Sequence, residues 1–351
     1  MRMHKRLALI IIGCLILAVL TAFTANPLES LKRDYSNKTE KEVISELCMK
    51  PISDITDEIN TISSNGADLS DITIQASVLA KRANEIPDDT LVSIIKDNKN
   101  SQNLRVTMLQ LGKHKKSFSS NEGKKILIDL LKDNKEEFAV KQNAIWALPD
   151  DDPLTVEVLT EISKQENDGV LAFQAIRKLN LIKPNLAIDL SNDILADYHN
   201  QQTEKVRAAI KVKAKQFSNE IKEISKEKNQ FTQMCFDIFN TSDDQIMKDT
   251  VIFAVSELKD EAAITNIVRN EKIDRPVKAY CIDQNYSTLL RMIKNNPTDK
   301  NIETVIQAMN IYPIKDLLSP LKEAIDKSDS KNNFSKLVEQ EANPVNEKWL
   351  D

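Results

Sequence analysis

Glycine is nearly missing from this chain: there are five in 351 residues, and none follows Gly169. Residues 170–351 therefore hold no side chain that takes a left-handed turn at low steric cost, which argues against a sheet of tight hairpins there. Cysteine is scarce too. Of Cys14, Cys48, Cys235 and Cys281, the first lies in an apolar leader and the other three have no short spacing. That odd set argues against a disulfide framework and against CxxC zinc or redox chemistry, and Cys235 and Cys281 read as buried small hydrophobes. Histidine occurs only as His4, His114 and His199: in the leader, in the basic run Lys113-His114-Lys115-Lys116, and at a helix end. No HExxH, GxSxG or Gly-rich phosphate loop is present, so the expectation is no catalytic residue, no cofactor and no metal. Glu136-Glu137 and Asp243-Asp244 read as solvated or capping carboxylates in turns. Asp150-Asp151-Asp152 lacks the alternating ligands and central glycine of a calcium loop.

Charged residues, by contrast, make up 29% of the chain and aromatics only 5%, the composition of paired helices with wet outer faces. The net charge is −5, and removing Arg2, Lys5 and Arg6 leaves 45 basic residues against 53 acidic, or −8. Such a surface makes nucleic acid a poor partner.

Residues 7–23 carry no charge, follow a basic start, and span roughly 25 Å as a helix, close to a bilayer's hydrocarbon thickness. The positive-inside rule keeps the first six residues in the cytoplasm and exports the rest. Three fates compete for residues 1–25. As a cleaved signal, the segment has Phe23 where a small residue belongs before Ala25. As a lipoprotein box, Ile11-Ile12-Gly13-Cys14 has only seven apolar residues before it. An uncleaved anchor is the leading expectation. Residues 26–69 read as a membrane-proximal linker with helices near 40–49 and 53–62.

Beyond residue 70 one grammar recurs. In Ile126 to Leu148, Ile126, Leu127, Leu130 and Leu131 share one helical face; Val140, Ala144, Ile145, Ala147 and Leu148 share a second; and Asp133 to Glu137 between them is too polar to bury. An apolar residue, followed by a basic one in all but Leu171-Ala172, opens each second helix: Leu104-Arg105, Val140-Lys141, Leu171-Ala172, Val206-Arg207, Met247-Lys248 and Val277-Lys278, at intervals of 36, 31, 35, 41 and 30 residues. Residues 93–98 match residues 129–134 at the same 36-residue offset. Asp152 is placed as an N-cap before Pro153, and Trp146 as the filler of a gap between units. Residues 302–309 and 317–325 read as the last pair.

These features resemble the HEAT repeat family, in particular the bacterial HEAT-like repeats first named for phycobilisome lyases. Asp133, Pro153 and Ala147-Leu148 match its turn and ending, while the terminal glycine survives only as Gly112. The resemblance implies an all-α fold: a right-handed alpha-solenoid of antiparallel helix pairs over residues 70–327. A polar tail follows at 328–351, in which Trp349-Leu350 reads either as a docked cap or as a segment offered to a partner, with the cap the leading expectation. It also implies a concave face lined by second helices that binds protein.

From Glu204 to Gln230 no glycine or proline intervenes, and Val206, Ile210, Ala214, Phe217, Ile221 and Ile224 repeat at helical spacing, so the expectation is one helix roughly 40 Å long. Its basic residues, with Lys205, Arg207, Lys211, Lys215 and Lys222 as the candidate partner-binding set, read either as a solvated face or as a ridge for an anionic partner or wall polymer. The expected function is a non-enzymatic, exported scaffold, tethered through residues 7–23 to a bacterial envelope membrane and presenting its repeats to a protein partner. An accessory subunit of an envelope enzyme is the alternative. No small-molecule substrate is evident.

Overall fold

A computed structural model describes residues 39–64, 69–165, 168–219, 226–330 and Phe334. The leader, the linker up to residue 38, Lys222 and the Trp349-Leu350 tail lie outside the described residues. Among the described residues, eighteen α-helices and no strand make the fold all-helical. None of these helices is long and apolar enough to cross a membrane. The chain divides into two compact units, Met1–Thr155 and Val156–Asp351.

The first unit contains α1 (Glu40–Leu47), α2 (Ile52–Ser64), α3 (Leu69–Lys81), α4 (Asp88–Lys96), α5 (Gln102–Lys115), α6 (Asn121–Lys132) and α7 (Phe138–Ala147). α4 pairs with α5 and α6 with α7, and α5 packs directly on α7, second helix on second helix. The expected apolar ladder is the core: Ile126, Leu127, Leu130 and Leu131 on α6 and Val140, Ala144 and Ile145 on α7 are buried. Serine hydroxyls start α5 and α6, Ser101 Oγ accepting from Leu104 N at 3.3 Å and Ser120 Oγ from Gly123 N at 3.0 Å.

Packing begins before residue 70. α1 and α2 stand where the sequence suggests helices, but they are core elements rather than linker, because Val43 with Leu47 and Ile55 with Ile59 form buried i,i+4 pairs. α2 lies on α5. Asn60 joins the two regions, its Nδ2 donating to Asn100 Oδ1 at 2.9 Å and its Oδ1 accepting from Ser101 N at 2.8 Å. Two of the five glycines serve one side chain: a Cβ on Gly112 would come within 2.4 Å of the Phe118 ring, and one on Gly123 within 2.7 Å of Phe118 Cα.

α8 (Pro153–Lys164) crosses the division between units, and Asp152 Oδ1 accepts from Leu154 N at 2.8 Å, the cap expected there. The second unit continues with α9 (Gly169–Ile182), α10 (Pro184–Ala196), α11 (Thr203–Asn219), α12 (Lys226–Thr241), α13 (Gln245–Glu257), α14 (Glu261–Arg269), α15 (Arg275–Gln284), α16 (Tyr286–Asn295), α17 (Asp299–Ile311) and α18 (Leu318–Lys327). Pairs form between α10 and α11, α12 and α13, α14 and α15, and α16 and α17, while α9, α11, α13, α15 and α17 pack one on the next. The last pair is therefore α16 with α17, not residues 302–309 with 317–325, and α18 packs against both members of that pair. The register was hidden because α17 opens Ile302-Glu303, with an acid where α5, α7, α11, α13 and α15 carry a basic residue.

One helix over 204–230 is also corrected. The rings of Phe217 and Phe231 lie 5.4 Å apart, whereas fourteen residues of continuous helix would separate them by about 21 Å. One continuous helix therefore does not join them. The 41-residue interval is taken up by two long helices, α11 with 17 residues and α12 with 16.

The basic residue that opens the second helices has a structural task in two of them. Arg105 Nε donates to Ile95 O at 2.7 Å and Lys278 Nζ to Val268 O at 3.0 Å, each reaching ten residues back to the last turn of the preceding helix. Carbonyls in that turn have no partner within their own helix, and a cation there also suits the helix dipole.

Candidate functional site

Arg207 opens α11 in the position that Arg105 holds on α5, yet it leaves that structural task. Its one hydrogen bond among the described residues is a long contact, 3.4 Å from Nε to Thr250 Oγ1 on α13. Its guanidinium instead lies 5.6 Å from the ring centroid of Phe173 on α9. Arg177, one turn beyond Phe173, and Lys211, one turn beyond Arg207, each lie 5.6 Å from the same centroid. Two i,i+4 pairs on adjacent second helices thus bring three cations round one phenyl ring.

Burial and mutual repulsion both act on this cluster. Burial holds Arg177 below its usual value; burial, then Arg207 and Arg177, lower Lys211, with Glu257 opposing. Glu257, at the end of α13, is raised by burial against the pull of Lys211, Lys259 and Lys215. Phe253 lies one turn before Glu257 and meets the Tyr280 ring of α15 edge-on at 5.1 Å. Tyr280 is 40% exposed. Burial raises its phenol first, and Glu257 is the next cause. Contacts and charges thus link α9, α11, α13 and α15.

The candidate set from the sequence is only partly gathered here. Arg207 and Lys211 join the cluster, and Lys215 is exposed on α11. Lys205, by contrast, is buried at 4% exposure, which removes it from any ridge. Lys213 is buried as well, donating to Gln216 Oε1 at 2.6 Å with its amine 4.6 Å from the Phe217 centroid. Sequence reasoning missed Phe173, Arg177, Phe253 and Tyr280. The available signal was the i,i+4 spacing of Phe173 to Arg177 and of Arg207 to Lys211 on consecutive second helices.

Other candidates are placed as follows. His114 and His199 are exposed, and Tyr198 lies against His199 with ring centroids 4.0 Å apart. Cys235 and Cys281 are fully buried, as expected, and burial raises the Cys281 thiol to about 11 and the Cys235 thiol further. Trp146 is half-buried rather than enclosed, with the Lys113 amine 5.8 Å from its ring. Glu136, expected to be solvated, is buried: its carboxylate takes both Arg105 Nη1 at 2.8 Å and Nη2 at 2.5 Å, both side chains being 4% exposed. Among the described residues, no three His, Cys, Asp or Glu side chains are grouped to hold a metal ion. An open cleft of about 230 Å³ between the α12–α13 and α14–α15 turns is lined by Lys248, Asp249, Lys272 and Asp274.

No family model matches the chain, and no curated protein matches it. Among solved structures the chain is similar to the crystal structure of an engineered protein, at 15% identity over 93% of this chain and 100% of that one, with a TM-score of 0.35, too low to carry an argument.

Proposed function

We propose that the chain is a HEAT-like alpha-solenoid, a non-enzymatic scaffold tethered to a bacterial envelope membrane through residues 7–23, whose second helices bind a protein partner. The observation that carries this reading is the linked row of side chains on α9, α11, α13 and α15: Phe173, Arg177, Arg207, Lys211, Phe253 and Tyr280 combine aromatic area with forked cations, the residue types that anchor protein interfaces. Stacked helix pairs favour this use, because each neighbour extends one continuous surface. The tether rests on the uncharged run after a basic start.

Site-specific photocrosslinking in intact cells tests the reading. A photoreactive residue at Tyr280 forms one discrete adduct, whereas the same residue at the exposed Asp193 on the first helix α10 forms none. Adducts of equal yield from both positions, or recovery of the chain as soluble cytoplasmic protein, would sink the proposal.

A further inference from the structure

The geometry points to the Phe173 cluster as a carboxylate site that takes an acidic segment of a protein partner, an apolar side chain of that segment lying beside Phe253 and Tyr280. This rests on the scaffold reading and names the chemistry of its partner.

Charge is the first ground. Arg177, Arg207 and Lys211 crowd one ring, and Glu257 is the carboxylate that acts on Lys211. Three like charges brought together by folding repel one another, and an incoming carboxylate relieves that repulsion. The second ground is donor supply. A guanidinium carries five N–H donors in a planar fork that fits a carboxylate in two parallel bonds. Among the described residues Arg207 spends one of its donors, and that one on a 3.4 Å contact with Thr250. Arg105 shows within the same chain what a satisfied guanidinium looks like, holding Glu136 through both Nη atoms and Ile95 O through Nε.

The third ground decides between a peptide and a denser anion. The Glu257 carboxyl interacts with Lys211, and the chain as a whole carries −5, so a polyphosphate or wall polymer meets repulsion that a single spaced carboxylate largely avoids. The edge-on Phe253–Tyr280 pair adds apolar area on the next two helices, which a polymer of anionic groups leaves unused. A peptide carrying alternating acidic and apolar side chains uses both halves.

Calorimetry on the full-length chain in detergent micelles tests this with three probes: an end-capped hexapeptide alternating glutamate and phenylalanine, its glutamine counterpart, and tripolyphosphate. The glutamate peptide binds, and the glutamine peptide binds at least about tenfold more weakly. The double variant Arg177→Gln, Arg207→Gln loses about tenfold for the glutamate peptide, while Arg269→Gln, in an exposed pair with Glu303, changes nothing. Should the double variant fail its circular-dichroism melt, Arg207→Lys keeps the charge, removes the fork and still weakens the glutamate peptide. Equal binding of the two peptides overturns the carboxylate site but leaves the scaffold standing. Tighter binding of tripolyphosphate than of the glutamate peptide overturns the peptide assignment. If neither peptide binds and Tyr280 forms no adduct in cells, the scaffold reading fails as well.

Discussion

On α5 polar side chains are matched by a carboxylate, an amide and a hydroxyl, whereas on α9 and α11 three cations gather round one phenyl ring. Arg105 is matched to Glu136, Gln110 Nε2 donates to Asn143 Oδ1 at 3.2 Å, and Asn103 Nδ2 donates to Ser63 Oγ at 3.1 Å. In the second unit Arg207 occupies the same opening position, has no carboxylate within bonding distance among the described residues, and shares Phe173 with Arg177 and Lys211. Both regions stack second helix on second helix. A repeat can thus keep its packing while one position changes from holding the fold to facing solvent, and that position is where binding chemistry can be introduced without disturbing the core.

The sharpest way to break this comparison is to make the same change at both positions. Arg105→Met leaves the Glu136 carboxylate buried without its partner and costs about 3–5 kcal/mol. Arg207→Met removes a half-exposed cation whose one hydrogen bond is long, and costs less than about 1 kcal/mol. Urea unfolding of the two variants checks this; equal losses would mean that Arg207 is structural and that the units do not differ in the way argued.

Glycine gives a second contrast. At Gly112 an added Cβ meets the ring of Phe118, a residue 1% exposed whose backbone sits against Gly123, so the ring has little room to move. At Gly169 the added Cβ meets Gln202 Oε1 at 2.3 Å, the far end of a flexible side chain. Gly112→Ala is therefore expected to cost about 1–3 kcal/mol, as overpacked cores do. Gly169→Ala costs less, because Gln202 can rotate away and because alanine is the better helix former. Thermal midpoints in the reverse order would show that Phe118 has room that the packing conceals.

How far the sequence foretold this is best judged position by position. The faces of α6 and α7, the burial of Cys235 and Cys281, and the Asp152–Pro153 start of α8 were all legible, because each depends on spacing within one helix or on a local cap. Glu136 was misjudged because its partner lies 31 residues away in sequence, and a polar run next to a turn carries no mark of a distant guanidinium. The separation of α11 from α12 was missed because a stretch without glycine or proline carries a helical period that does not say where one helix ends and the next begins. The Phe173 cluster was half legible: Arg207 and Lys211 stood out as basic residues, but the ring and Arg177 sit on another helix, and one-dimensional periodicity does not say which neighbour a face meets.

The smallest expected effect is one of pH, and it has opposite signs in the two units. Lys124 holds the Asp152 carboxyl below its ordinary value, helped by the Leu154 amide. A carboxyl lowered by folding stabilises the protein above its ordinary range, and that contribution is lost as pH falls through the lowered folded value. Burial raises Glu257, with Lys211, Lys259 and Lys215 opposing, so its favourable contribution is present below the ordinary range and lost as pH rises through the raised value. Asp152→Asn therefore lowers the urea midpoint at neutral pH and has little effect in acid, where Lys124 has already lost its charged partner. Glu257→Gln raises the midpoint at neutral pH and gives nothing below about pH 4, where the carboxyl is neutral in both states. Unfolding measured near pH 7 and again near pH 3 decides the matter. Shifts of one sign at neutral pH would mean that the attraction of the lysines outweighs burial at Glu257, making its surroundings as well compensated as those of the first unit.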